Sequence, residues 1–221
     1  MITIQDLFSL DKTYPEAAEY LSAFTYGWEA LAGISELIIK IGENLPEEEY
    51  DHPSENIWIA KDAVVFPSAF IGAPCIIGRR TEVRHCAFIR GSALVGDDCV
   101  VGNSTELKNV ILFNDVQVPH YNYVGDSILG YKAHMGAGSI TSNVRSDKQS
   151  ITVHDRGTDI PTGIRKIGAM VGDHAEIGCN AVLNPGTVVG RNSVVYPLCS
   201  VRGTIPQDSI CKTTEIIVEK R

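Results

Sequence analysis

The stretch that decides the fold is FIGAPCIIGRRTEVRHCAFIRGSALVGDDCVVG, residues 70–102, in which an aliphatic residue returns at every sixth position. The same period extends to both sides, and ten successive positions hold Ile, Val, Leu or Phe: 59, 65, 71, 77, 83, 89, 95, 101, 107 and 113. Four of these residues precede a glycine, which tolerates turn conformations that a Cβ penalises. A second run keeps the period from Val171 to Val201.

A period of six fits neither an α-helix, which repeats every 3.6 residues, nor a long strand, which repeats every two. We interpret each six-residue unit as a short strand and a turn, with its apolar residue pointing inward. Three units then make one coil of eighteen residues, and successive coils stack about 4.8 Å apart. The repeat therefore predicts a three-sided prism of parallel strands, with some other solenoid as the alternative.

The repeat divides the chain. Residues 1–56 lack it but are rich in helix formers, and we expect two or three helices there, packed on the first coil to cover its open strand edge. Residues 57–212 form the prism. Two irregular segments are expected to leave it as insertions, at 118–124 and 144–165. In the first, Pro119 is the last residue in phase, and the chain re-enters one residue out of phase.

The second insertion alternates apolar and polar residues around the turn signal Asp155-Arg156-Gly157. This pattern predicts a protruding β-hairpin or a long loop. The C-terminal tail, residues 213–221, either adds a strand or lies against a neighbouring subunit.

Composition limits the classes of function. The net charge of −8 argues against non-specific binding to nucleic acid or to acidic membranes. Six cysteines are scattered without a CxxC pair, which favours reduced packing residues over a zinc or redox motif. No apolar run of 18 residues and no signal-peptide pattern occurs, so a cytoplasmic location is expected.

Three polar residues stand out against the repeat. His120, in VPHYNYVGD (118–126), lies where the aliphatic period stops. Arg90 and Lys108 each follow an inward residue and are eighteen positions apart, so they should stack one coil apart on the same side of the prism. Two stacked cations favour an anion between them, which indicates a phosphate site. The alternative is a pair of solvated surface cations, one of them paired with Glu106.

The segment VPHYNYVGDSILGYKAHMGAGSITSN, residues 118–143, resembles the acetyltransferase domain of the bacterial bifunctional UDP-N-acetylglucosamine pyrophosphorylase/glucosamine-1-phosphate acetyltransferases. The likeness runs from about Phe88 to Asn143 and resumes at Lys166. It implies a left-handed parallel β-helix, a homotrimer with sites between neighbouring prisms, and acetyl-CoA as acyl donor. It also implies a role in UDP-N-acetylglucosamine biosynthesis, with no metal at the catalytic centre.

The same resemblance assigns roles to individual residues. His120 and Tyr123 are the two ends of an HxxY motif. His120 would be the general base that takes a proton from the amine of the amino sugar or sugar phosphate during attack on the thioester. The substrate-binding positions would be Arg90, Lys108, Tyr123, His134 and Lys166, with Lys148 as the rival of Lys166. The positions implied for CoA binding are Ala137, Asn143, Val144 and Cys179.

The chain also departs from that family. The family has Asn at position 134, an aromatic residue at 144 and Ser at 179, and it lacks most of the second insertion. Residues 1–56 contain no Gly-rich Arg/Lys loop, so nucleotidyltransferase activity is not expected. The acceptor and the acyl group therefore stay open.

Two other functions compete with acyl transfer. One is a non-catalytic scaffold or regulatory protein of the same fold. The changed residues at 134, 144 and 179 keep this alternative open. The other is a metal hydratase like the γ-class carbonic anhydrases, which needs three histidines on zinc and a close HxxxxH pair. The chain's histidines show no such pair: 52, 85, 120, 134, 154 and 174.

Overall fold

The computed structural model describes residues 2–213 and 216–220, so Thr214, Glu215 and Arg221 of the predicted tail lie outside it. These residues form a solenoid of about nine coils of parallel strands, preceded by a helical region. The predicted left-handed parallel β-helix is confirmed.

The strands lie on three faces. Face I contains Tyr50–Ser54, Ile57–Ala60, Cys75–Ile77, Ala93–Val95, Ala169–Val171, Thr187–Val189 and Thr204–Ile205. Face II contains Val64–Val65, Glu82–Val83, Val100–Asn103, Gln117–His120, His134–Met135, Glu176–Ile177, Val194–Val195, Ser209–Thr213 and Ile216–Glu219. Face III contains Phe70–Ile71, Phe88–Ile89, Ile140–Thr141, Val182–Leu183 and Ser200–Val201. Two longer strands, Glu106–Leu112 and Tyr123–Leu129, cross the corner from face III to face I.

The inward residues are stacked by the pairing between coils. Ile77 pairs with Val95 and Ile89 pairs with Leu107, in each case eighteen residues apart, as the repeat predicts. These four side chains are fully buried. The core is therefore a continuous column of aliphatic side chains, and each coil covers the apolar end of the one before it.

The register slips by one residue within the strand Glu106–Leu112. Val95 pairs with Leu112, seventeen residues on, whereas the period of six would have placed Phe113 there. Because the following coil keeps the new phase, Val118 rather than Pro119 points inward and is fully buried. The chain loses one residue at a corner and does not leave the prism.

The expected loop insertion at 118–124 is therefore wrong. Gln117–His120 and Tyr123–Leu129 are strands paired with the preceding coil, and only Tyr121 and Asn122 lie between them. These two residues make an ordinary corner of the solenoid.

The helical region forms the α-helices α1 (Ile4–Leu7), α2 (Pro15–Ser22) and α3 (Ile34–Gly42) and the 3₁₀ segments Leu10–Lys12 and Gly27–Gly33. It packs on the outside of face I. On face I, the side chain just before each inward residue points away from the core. These outward side chains form an apolar stripe that is at most 2% exposed: Ile76, Leu94, Ile111, Ile128, Met170 and Val188. No helix in the described ranges is long and apolar enough to cross a membrane.

Our expectation that the helices cover the edge of the first coil is wrong. The extended segment Tyr50–Ser54 runs antiparallel to Ile57–Ala60 and covers that edge. The helices instead follow the apolar stripe of face I, because a second surface of large aliphatic side chains is more costly to expose than a single strand edge.

Two contacts illustrate how the helical region is fixed to the prism. The rings of Phe8 and Phe113, both buried, lie 5.2 Å apart between centroids. The buried carboxylate of Asp173 accepts hydrogen bonds from the backbone N–H groups of Ser9 (2.7 Å) and Tyr131 (2.8 Å). Phe113, displaced from the core by the register slip, thus becomes the anchor of the N-terminal region.

The second insertion forms the predicted hairpin, in which Thr152–Asp155 pairs with Thr158–Pro161. Its two-residue turn, Arg156-Gly157, has positive φ angles of 48° and 82°, as a tight hairpin requires. The hairpin does not protrude as expected. Val153 is 1% exposed, because the hairpin packs its apolar side chains against the last coils.

The predicted tail strand is present as Ile216–Glu219, which pairs antiparallel with Ser209–Thr213 and extends the last coil of face II.

The anchoring contact can be tested by comparing two phenylalanines. We expect Phe8→Ala to lower the free energy of unfolding by about 3–5 kcal/mol, because it leaves a cavity between helices and prism. Phe70→Ala, at a side chain that is 58% exposed, is the matched control and should change it by less than about 1 kcal/mol. Urea unfolding followed by circular dichroism measures both. Equal losses in the two variants would contradict this packing.

Candidate active site

One corner of the prism, between faces II and III, stacks three of the predicted site residues in consecutive coils. The backbone N–H of Gly138 donates to the carbonyl of His120 (3.0 Å), and that of Asn180 donates to the carbonyl of Ala137 (2.8 Å). Positions 120, 137 and 179 are therefore neighbours, about 4.8 Å apart per coil. His120 and Cys179 are exposed, and Ala137 between them is small and half-buried.

Asn122 holds this corner in shape. Its side chain is buried, and its amide donates to the carbonyls of Gly136 (2.8 Å) and Ser139 (3.1 Å). Its oxygen accepts a hydrogen bond from the backbone N–H of His120 (3.1 Å). Among the described residues, no side chain hydrogen-bonds the imidazole of His120. The ring is thus placed by its backbone and is accessible to a ligand.

Arg90 and Lys108 stack as predicted, because the backbone N–H of Arg90 donates to the carbonyl of Leu107 (2.9 Å). Each cation has its own carboxylate, however. Arg90 contacts Glu106 at 2.9 Å, and Lys108 contacts Asp126 at 2.7 Å. The expectation that the two charges need an anion between them is therefore wrong, since acidic and basic side chains alternate along this part of the prism.

Asp126 is a candidate site residue that the sequence analysis did not identify. Its side chain is 4% exposed and accepts hydrogen bonds from Lys108, from the amide of Asn109 (2.9 Å) and from the amide of Asn143. It occupies a corner position with a φ of 49°. Asp126 is seventeen residues before Asn143 and eighteen after Lys108. Once the shortened coil is known, this spacing places the three residues in neighbouring coils. Lys108 and Asn143 are therefore bound to a buried charge.

Tyr123 lies beside this network and is half-buried. Burial raises the pKa of the Tyr123 hydroxyl, and the carboxylates of Asp126 and Glu106 raise it further. Its ring lies over Gly125, where any Cβ would collide with the hydroxyl. Tyr123 is consequently a neutral hydrogen-bond donor at physiological pH.

His134 lies on face II and not at the corner of His120. Its Nδ1 is 2.8 Å from a carboxylate oxygen of Glu176 in the next coil, and Gln117 stacks on its other side. A cavity of about 380 Å³ opens beside this row, lined by Asp115, Gln117, Lys132, His134, His174 and Glu176. The structure therefore assigns His134 to a polar cavity next to the corner.

Val144 and Lys166 pair with each other at the root of the second insertion, next to Asn143. Lys166 is exposed, and its rival Lys148 lies in an exposed turn after Arg145. A cavity of about 250 Å³ opens at this root, lined by Ser142, Val144, Arg145, Ser146, Asp147, Asn184, Pro185 and Arg202. Within the described ranges, no carboxylate pairs with Arg202, so its charge is available to an anion.

The described residues contain no cluster of three or more His, Cys, Asp or Glu side chains able to hold a metal ion. Cys179 and Cys86 are exposed free thiols, whereas Cys75, Cys99, Cys199 and Cys211 are buried free thiols. The groups that this chain itself presents at the corner are the imidazole of His120, the thiol of Cys179 and backbone amides.

No protein-family model matches the chain. A bifunctional protein GlmU from Methanococcus maripaludis strain C5 is 31% identical over 205 residues, which cover 91% of this chain and 50% of the relative. The chain thus spans half the length of that relative. A solved structure of PerB from Caulobacter crescentus, in complex with CoA and GDP-perosamine, is 19% identical with a TM-score of 0.31, covering 70% of this chain and 52% of that one.

An acetyltransferase of Escherichia coli O6:K15:H31, the uncharacterized protein YaiX, matches over most of both chains. It is 31% identical over 181 residues, which cover 74% of this chain and 77% of YaiX. The chain belongs to the hexapeptide-repeat acetyltransferase family.

Proposed function

We propose that the protein transfers an acetyl or other acyl group from CoA to the amine of an amino sugar or sugar phosphate. The observation that carries this proposal is the stack of His120, Ala137 and Cys179 at one open corner. An exposed imidazole there adjoins a track of small side chains, and such a track suits an extended thioester better than a bulky ligand. Membership of the acetyltransferase family supports the choice of CoA as donor.

In the proposed reaction the acceptor amine attacks the thioester carbonyl. His120 takes a proton from the amine, because its exposed imidazole is the base that this corner presents to a ligand. The C–N bond forms, the C–S bond breaks, and the leaving thiolate of CoA takes the proton back from the His120 imidazolium and departs as the thiol. The thioester is already activated, so no acyl-enzyme is required.

Within the turn Gly136-Ala137-Gly138, one backbone N–H has no partner among the described residues. The N–H groups of Gly136 and Gly138 already donate to the carbonyls of Ile177 (2.7 Å) and His120 (3.0 Å). The N–H of Ala137 has no partner among the described residues, so we assign it the developing negative charge of the tetrahedral intermediate.

The charge network refines the proposed acceptor. A phosphate could draw Arg90 away from Glu106 at small cost, because that pair lies at the surface. Lys108 could not leave Asp126 without leaving a buried carboxylate unpaired. We therefore assign the phosphate contact of a glucosamine-1-phosphate-like acceptor to Arg90 and Lys166. Lys108 has a positioning role instead.

The other candidate residues complete the proposal. Tyr123 would donate a hydrogen bond to the acceptor, and His134 would contact its hydroxyl groups from the face II cavity. Ala137 and Cys179 would line the channel of CoA, with Val144 and Asn143 at the root of the insertion. Arg202, whose charge is uncompensated among the described residues, would receive an anionic group of either substrate.

We also propose that the protein acts as a homotrimer in the cytoplasm, in UDP-N-acetylglucosamine biosynthesis. His120 is exposed on a single prism, and a second prism would be needed to enclose it. The exposed ring of Phe88 on face III supplies apolar area for such a contact, since the helical region covers face I only.

The role of His120 can be tested against a histidine at the same corner. His85 stacks two coils before His120, through Asn103, and is also exposed. With acetyl-CoA and a panel of amino sugars and sugar 1-phosphates, we expect His120→Ala to lower thiol release about 100- to 10,000-fold, because the base is lost. CoA affinity should be unchanged, and His85→Ala should keep near-normal turnover.

Equal turnover in His120→Ala and wild type would remove His120 as the base. A wild-type protein that binds CoA and stays inert with every acceptor would favour the scaffold alternative.

The two cations are predicted to respond differently to substitution. Lys108→Gln should lower the free energy of unfolding by about 3–5 kcal/mol, because Asp126 becomes an unpaired buried charge, and adding Asp126→Asn should restore most of the loss. Arg90→Gln should leave stability nearly unchanged and raise KM for phosphorylated acceptors about tenfold. Urea unfolding and steady-state kinetics measure both effects, and a loss of stability in Arg90→Gln alone would reverse the assignment.

A further inference from the structure

The helical region contains an open groove that the proposed reaction does not use. Its volume is about 760 Å³, and it lies between α2, the 3₁₀ segment Gly27–Gly33 and α3. The floor is apolar, formed by Tyr20, Phe24 and Leu37, with small residues beside them. It belongs to the part of the molecule that packs on face I, whereas His120 lies at the corner between faces II and III.

The floor of the groove is rigid. The hydroxyl of Tyr20 donates to the carbonyl of Ala30 (2.7 Å), and its ring packs edge-to-face on Phe24 at 5.1 Å. Leu21 and Ile34, directly behind the floor, are fully buried. The groove is therefore preformed, and a ligand would not have to order it.

The rim of the groove is acidic. Glu16 and Glu19 on α2 face Glu36 on α3 across the opening, and Lys40 is the single cation on its lining. This local charge belongs to a larger asymmetry. Residues 1–56 contain twelve Asp and Glu but two Lys and no Arg, a net charge of −10 against −8 for the whole chain. The net negative charge of the protein thus resides in its first 56 residues, which include the helices and the strand Tyr50–Ser54.

We propose that this groove binds a basic amphipathic helix of a partner protein. The apolar side of the helix would cover Tyr20, Phe24 and Leu37, and its Lys or Arg side chains would pair with the glutamates of the rim. The walls set the length of the occupant: α2 has eight residues and is about 12 Å long, so that about two helical turns fit. An acidic surface repels nucleic acid and anionic lipid, so neither suits the groove.

Docking at this groove leaves the corner of His120 open. The inferred effect is therefore recruitment of the acyltransferase to another protein rather than inhibition. The inference does not rest on the acyl-transfer reaction, because no residue of the groove belongs to the proposed active site.

The test uses the full chain and three fluorescein-labelled peptides of about twelve residues. The first places Leu on one helical face and Lys on the other, the second has the same composition in scrambled order, and the third replaces Lys with Glu. We expect fluorescence anisotropy to show the first peptide binding at least about tenfold more tightly than the other two at low salt. The affinity should fall as salt is raised.

Two variants locate the binding. Ala32→Arg, at an exposed position on the lining, should abolish it, and Glu16→Gln with Glu19→Gln should weaken it about fivefold or more. The matched control, Glu43→Gln with Glu48→Gln, removes the same charge from exposed residues outside the groove and should change the affinity less than twofold.

Circular dichroism confirms that each variant is folded. The proposal would be overturned if the scrambled peptide bound as tightly as the first, or if the control variant weakened binding as much as Glu16→Gln with Glu19→Gln. Either result would show that general charge attraction explains the binding. A change in the mass of the assembly in Ala32→Arg would assign the groove to a second copy of the chain and overturn it as well.

Discussion

Hydrogen bonding between parallel strands of successive coils is the constraint on which the whole molecule depends. Each inward residue must lie over its counterpart one coil earlier, and a coil that is one residue shorter shifts every later position. In this chain the shift occurs between Leu107 and Leu112. As a result Val118 enters the core, and His120 ends its strand at a corner, over Asn103 and under Ala137.

The fold was largely predictable because its signals are local. The period of six, the glycines and the Asp155-Arg156-Gly157 turn each act within a few residues, and the prism and the hairpin follow from them. The slip was not predictable from the sequence. Leu112 and Phe113 are both large and apolar, so either could point inward, and only the pairing of whole coils decides between them. The predicted loop at 118–124 resulted from that single ambiguity.

The position of the helical region depends on a second apolar stripe, which the period of six does not reveal. The strands of face I carry a second apolar residue one position before the inward one, as in Ile76-Ile77 and Leu94-Val95. This second stripe must be covered because it is as apolar as the core. Asp126 was missed for a related reason: its partners Lys108 and Asn143 belong to other coils, and sequence neighbours gave no indication of them. The break in the repeat drew attention to His120, the family resemblance supplied Ala137 and Cys179, and the structure brings the three together at one corner.

We propose that CoA binds along the corner formed by His120, Ala137 and Cys179, between two copies of the chain. A crystal structure of the protein with CoA would locate the ligand. We expect the pantetheine arm beside Ala137 and Cys179, with its thiol within reach of the imidazole of His120 and a second prism closing the other side. CoA bound on another face, or at a corner that no second copy approaches, would contradict it.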